Sequence, residues 1–243
     1  PSMSEPLLRV ENVNTYYGKS HILHDVSFEV GKGELVALLG LNGAGKTTTM
    51  RSILGLTRPR SGQVVLNGDS VAGSPPHRIA RMGVGYVPEG RRMFAGLTVL
   101  ENLQLAENGR KGDWSIERVL QHLPKLRELS GRKAGRLSGG EQEMLAIGRA
   151  IVSNPTLMLI DEASQGLAPL IVAEVYRLIE ELKQDGVAIL LVEQNALLAL
   201  KIADRAYVMD EGRIVYHGDA AALLKDRERI ADLMGLNAGE LAS

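Results

Sequence analysis

One octapeptide constrains this chain more than any other feature. Gly40-Leu41-Asn42-Gly43-Ala44-Gly45-Lys46-Thr47 satisfies G-x-x-x-x-G-K-[ST] and follows directly on the apolar run Leu35–Leu39. A helix-compatible stretch opens at Thr48. Glycines at these positions let the backbone fold tightly, so that its N–H groups point at a common centre where phosphate oxygens can sit. Lys46 then neutralises β/γ-phosphate charge, and the Thr47 hydroxyl is a ligand for Mg²⁺. Gly40, Asn42, Gly43, Ala44, Gly45, Lys46, Thr47 and Thr48 are therefore candidate nucleotide-phosphate contacts.

The rest of the sequence fits a fold built around such a loop. The runs 157–160 and 187–192, like Leu35–Leu39, are nearly continuous apolar stretches that stop at a glycine or an acidic residue. Such runs read as strands buried on both faces of a parallel sheet. Between the second and third, Ile171, Val175, Leu178, Ile179 and Leu182 recur at helical spacing, with Pro169 before them and Gly186 after. That is a βαβ unit, and the class is α/β. Residues 7–32 and 63–68, with the turn pair Asn67-Gly68, predict a small N-terminal antiparallel sheet. Residues 89–150 lack strand runs from 96 onward and predict a helical subdomain. The stretch 207–217, broken by Asp210-Glu211-Gly212, predicts a hairpin, and Leu223, Leu224, Ile230, Leu233 and Met234 predict one C-terminal helical face. Met3 to Ser243 is read as one domain, with 3–88 and 151–243 forming the nucleotide-binding core.

Composition removes several chemistries. With no cysteine, thiolate nucleophiles, Cys-ligated zinc and iron–sulfur clusters are excluded. A formal net charge of −1 gives no bulk field for nucleic acid. No run approaches the roughly 18–20 residues that span a bilayer, and no basic-then-apolar leader is present, so the expectation is a soluble intracellular chain.

Two further motifs carry chemistry. Asp161-Glu162 closes the run Leu157-Met158-Leu159-Ile160 at the end of a strand, where ligands of open α/β sheets bind. One carboxylate there can order a metal's hydration shell while the other orients or deprotonates an attacking water. Leu137-Ser138-Gly139-Gly140-Glu141-Gln142 contains a capping box, Ser138 to Glu141. Spacing alone leaves open whether it is simply a well-capped helix or an anion site at a helix N-terminus.

The phosphate loop, then L-S-G-G-E-Q, then a strand ending in Asp-Glu 23 residues after Ser138, together resemble the ATP-binding-cassette family over essentially the whole chain. The resemblance implies that two cassettes pair head to tail around ATP and Mg²⁺, with Ser138, Gly139 and Gly140 of one chain reaching the γ-phosphate held by the other. It implies that Tyr17 stacks on adenine, that Glu162 acts on the attacking water, and that Thr47, Asp161 and Glu89 surround the metal. Glu89 stands where the family usually has a metal-contacting Gln, and Gln194 where it usually has a switch His. Tyr86-Val87-Pro88-Glu89-Gly90-Arg91-Arg92, Gly166-Leu167-Ala168-Pro169 and Glu193-Gln194-Asn195 together resemble the LivF-type ATP-binding subunits of branched-chain amino-acid importers. Ala163, where the family commonly has Pro, and Gln165 depart from that subgroup.

The resemblance implies as partners a paralogous ATPase subunit, two transmembrane permease subunits and, indirectly, a substrate-binding protein. It places the chain on the cytoplasmic face of the inner or plasma membrane, with no nucleic-acid partner. Urea or short-amide import, a non-transport cassette ATPase and a scaffold with little hydrolysis are the alternative functions.

Overall fold

The apolar runs lie side by side. The computed structural model describes residues 5–90, 93–107 and 109–235. Met3, Ser243, and Arg91 and Arg92 of the stretch 86–92 lie outside the described residues. The first half contains β1 (Leu8–Tyr17), β2 (Ser20–Val30), β3 (Leu35–Leu39), α1 (Lys46–Ile53), β4 (Ser61–Leu66), β5 (Asp69–Ser70), α2 (Pro76–Arg81) and β6 (Val84–Val87). Next come α3 (Val99–Gln104), α4 (Ile116–His122), α5 (Pro124–Glu128), a 3₁₀ turn at Ala134–Arg136 and α6 (Gly139–Val152). The chain continues with β7 (Leu157–Asp161), α7 (Pro169–Gln184), β8 (Ala188–Glu193), α8 (Ala196–Ile202), β9 (Arg205–Asp210), β10 (Arg213–Asp219), α9 (Ala220–Lys225) and α10 (Arg227–Met234).

The larger sheet runs β10-β9-β3-β8-β7-β6, parallel throughout except for the edge strand β10. β10 is the return arm of the predicted hairpin. Its turn places Glu211 and Gly212 at φ 43° and 76°, the left-handed pair that matches strand twist in a two-residue hairpin. The smaller sheet, β2-β1-β4-β5, is antiparallel. Asn67 and Gly68 make its β4–β5 turn at φ 50° and 85°.

Strand alternation divides the interior in two. Leu35, Ala37, Leu39, Met158, Ile160, Ile189 and Leu191 face a core shared with α6, α7, α8 and the 99–137 segment. Val36, Leu38, Leu157, Leu159, Leu190 and Val192 face α1 and the antiparallel sheet. Each central strand is thus apolar on both faces, as a parallel sheet covered on both sides requires.

Two sequence expectations are modified. The C-terminal apolar residues lie on two helices, because Asp226 leaves helical geometry at φ −102°, ψ 80° and its side chain caps α10 at the Arg229 N–H. The expected boundary at residue 150 falls inside α6, which runs on to Val152.

The register aligns the strands' carboxyl ends. Leu39 pairs with Glu193, Val192 with Asp161, and Ile160 with Val87. Everything that follows these four strands opens at one edge of the sheet.

Candidate functional site

At that edge the phosphate-type loop runs from the end of β3 into α1. Gly45 caps α1 at φ 106°, a conformation costly for a residue with a Cβ, and an added Cβ would come within 2.9 Å of Leu23. The first turn of α1 carries no acidic side chain, so its free N–H groups and the helix dipole favour an anion. The loop is strapped from outside: the Gly212 N–H donates to the Ala44 carbonyl at 2.9 Å, and the His24 N–H donates to the Gly212 carbonyl at 2.9 Å. The β9–β10 turn thus holds the loop through Ala44, and β2 holds that turn through His24.

Lys46 is 4% exposed and folded back over the loop. Its Nζ donates to the carbonyls of Gly40 at 2.8 Å and Leu41 at 3.0 Å, and lies 3.2 Å from Glu162 Oε1. Glu162, the first residue beyond β7, has φ 52°, and its N–H donates to the Val192 carbonyl at 2.9 Å. The adjacent β7 and β8 ends therefore fix where this carboxylate emerges.

Asp161, 1% exposed, sits behind it. Neither of its carboxylate oxygens has a hydrogen-bond partner. Burial pushes its pKa up to about 6, with the charges of Glu162 and Glu89 adding to the rise, while the Thr47 hydroxyl and Lys46 oppose it. A buried carboxylate with unused oxygens beside a threonine hydroxyl is a donor set for a hard divalent cation.

Tyr17, Asn42, Gly43, Gly45, Lys46, Thr47, Thr48, Glu89 and Glu162 line one cavity of about 450 Å³, joined by Ile22 and Gln165. Tyr17 is 44% exposed at its mouth, its ring free to stack on a planar ligand. Glu89, Glu162 and Gln165 also line a neighbouring cavity of about 480 Å³ that reaches Gln142 and Glu143 of α6.

The structure separates other predicted residues from this cavity. Gly40 and Ala44 act through the loop backbone, and Gln194 is exposed one residue past β8. Ser138, Gly139 and Gly140 open α6, where the reciprocal Ser138–Glu141 cap forms, with the Glu141 N–H to Ser138 Oγ at 3.4 Å and the Ser138 N–H to Glu141 Oε2 at 2.8 Å. Ser138 is exposed, and Gly140 packs so closely on Ile171 of α7 that a Cβ would approach it to 2.9 Å. Sequence reasoning named Gly212 only as a hairpin residue, Glu193 only within Glu193-Gln194-Asn195 and Gln165 only as a departure from the subgroup, and missed their places around this site. Gly212 and Glu193 act through partners far along the chain, and local spacing carries no sign of that.

Comparison with known proteins fits this geometry. A family described as ABC transporter matches residues 23–165. The chain is 49% identical over 221 residues to the high-affinity branched-chain amino acid transport ATP-binding protein BraG of Pseudomonas aeruginosa, covering 90% of this chain and 95% of that protein. It is 38% identical to the probable branched-chain amino acid transport ATP-binding protein LivF of Archaeoglobus fulgidus, covering 95% of this chain and 99% of that protein. Among solved structures it is similar to the ADP conformation of an ATP-binding cassette of an ABC transporter, with a TM-score of 0.82 at 29% identity, covering 95% of this chain and 98% of that one.

Proposed function

The chain belongs to the ABC transporter family as one of its ATPases, and from that premise we propose that it energises uptake of branched-chain amino acids across the inner or plasma membrane. The observation that carries the catalytic part is the convergence of Lys46, Thr47 and Glu162 on one cavity wall, with the unpartnered Asp161 behind them. The names and high coverage of the two relatives support the cargo.

In this reading the loop N–H groups and Lys46 hold the triphosphate, and Tyr17 stacks on the base. Lys46 exchanges its contact with Glu162 for γ-phosphate oxygens. Thr47 and Asp161 would hold Mg²⁺, with Glu89 at its edge; when bound, the ion supplies charge neutralisation at the β- and γ-oxygens. Glu162, released from Lys46, accepts a proton from the attacking water at its carboxylate. Most of the catalysis is positioning, since phosphoryl transfer leaves the protein little covalent work.

Ser138, exposed, and the half-buried Gly139 and Gly140 lie outside the cavity, where they can complete the site of a second cassette. Gln194 can donate a hydrogen bond to a γ-phosphate but cannot carry imidazolium charge. That favours pairing with a paralogous cassette that supplies a His at its own site. No helix among the described residues is long and apolar enough to cross a membrane. In this reading, which the names of the relatives support, the chain docks from the cytoplasmic side on two permease subunits, which in turn receive cargo from a substrate-binding protein.

The test is uptake of labelled leucine, isoleucine and valine in cells lacking this chain, with urea as comparison. Restored uptake of the three amino acids on complementation supports the reading. Restoration of urea uptake alone overturns the cargo.

A further inference from the structure

Glu193 is a buried carboxylate that the proposed chemistry does not use. It closes β8 at 1% exposure, and neither of its oxygens is idle. Oε1 accepts from the Ser164 N–H at 3.1 Å and from the Tyr176 hydroxyl at 3.0 Å, while Oε2 accepts from the Ser164 hydroxyl at 3.0 Å. Burial pushes its pKa above the usual carboxylate range, against the hydrogen bonds from Ser164 and Tyr176. A group this costly to bury, fully satisfied by two distant residues, fixes those residues relative to β8.

What it fixes is the turn that carries Glu162. The Glu162 backbone is left-handed at φ 52°, a region that disfavours residues with a Cβ and persists only when neighbours enforce it. Consecutive residues of β8 do so from both sides. The Val192 carbonyl accepts from the Glu162 N–H, and the carboxylate of the next residue, Glu193, takes both donors of Ser164, two residues past Glu162. Between these anchors Ala163 is buried. The Tyr176 hydroxyl of α7 donates to the same Oε1 that accepts from the Ser164 N–H, tying α7 to the clamp.

We infer that Glu193 is a positioning residue for ATP hydrolysis: with Ser164 and Tyr176 it clamps the left-handed turn that aims Glu162 into the cavity, and sets that turn jointly with the β8 end bearing Gln194. The inference rests on the reading of Glu162 as the base. It separates turnover from nucleotide binding, because the phosphate loop is anchored elsewhere, by Gly212 and α1.

The experiment is steady-state hydrolysis by the full-length chain bearing Glu193→Ala, Glu193→Gln, Tyr176→Phe and Glu162→Gln, with the Glu162→Gln/Glu193→Ala double variant. Glu193→Ala is expected to lower kcat about 10-fold or more with KM for ATP within about 2-fold. The Gln variant can accept at Oε1 from the Ser164 N–H and Tyr176 and donate from Nε2 to the Ser164 hydroxyl. It is therefore expected to retain kcat within about 3-fold. If Glu193 acts through Glu162, adding Glu193→Ala to Glu162→Gln changes the residual rate by less than about 2-fold.

A kcat for Glu193→Ala within about 2-fold of wild type overturns the inference, as does a loss that multiplies fully in the double variant. If Glu193→Ala does not fold, Tyr176→Phe decides: a kcat loss of about 2–5-fold at unchanged KM supports the clamp, and unchanged kcat overturns it. Normal turnover by Glu162→Gln alone instead overturns the reading of the base, so the two failures are distinct.

Discussion

Lys46 Nζ lies 3.2 Å from Glu162 Oε1, both side chains buried, so the proposed phosphate-binding cation is paired with the residue proposed as base. Removing one partner of a buried pair leaves the other uncompensated. Glu162→Gln should therefore lower the Tm of the nucleotide-free chain. It should also enlarge the Tm rise on adding Mg-ATP, because Lys46 no longer has to leave an ionic partner. Differential scanning calorimetry with and without Mg-ATP checks both signs.

Lys46→Ala removes the cation from the cavity wall without touching the loop's backbone donors. Ligand binding to the native state raises stability by mass action, so wild type should show a Tm rise with Mg-ATP that this variant loses in large part. An equal rise in both proteins would remove Lys46 from the phosphate site.

Asp161 ties stability to pH. Its folded-state pKa of about 6 lies above the unfolded value of about 3.9. The contribution to stability is fully present below about pH 4 and is lost as pH rises through about 6, a difference on the order of 3 kcal/mol. Asp161→Asn should flatten this part of the curve and make the nucleotide-free chain more stable than wild type at pH 8. It should also abolish the additional stabilisation by Mg²⁺ that the account expects with ATP. Urea unfolding at pH 5 and pH 8 decides it.

Much of this site was legible in the sequence because its residues are local to strand ends. The loop between β3 and α1 shows itself by glycine spacing, and Asp161-Glu162 by its place after an apolar run. Asn67-Gly68 and the Ser138–Glu141 cap each encode their geometry within four residues. Residues defined by distant partners were not legible. Gly212 holds Ala44 from 168 positions away, and Glu193 looks like the polar stop of a strand until Ser164 and Tyr176 are seen around it. β6 was hidden for another reason: four residues with a glycine among them are too short to display a period.

The exposed Ser138 and the exposed Gln194 make opposite predictions for the two sites of a mixed dimer. In the proposed pairing, Ser138→Arg damages the partner's site, and Lys46→Ala damages this chain's own phosphate site, for which Gln194 takes the switch position. In assembled transporter at saturating ATP, Ser138→Arg should lower hydrolysis more than Lys46→Ala. Equal losses, or the reverse order, would contradict pairing with a cassette of stronger chemistry.

The most direct test of the central claim is phosphate release together with the identity of bound nucleotide, compared between wild type and Glu162→Gln. The amide keeps the size of the side chain and loses the proton acceptor. The account predicts a rate lower by about 100-fold or more, with ATP rather than ADP retained on the protein. Hydrolysis near the wild-type rate, with ADP accumulating, would contradict it.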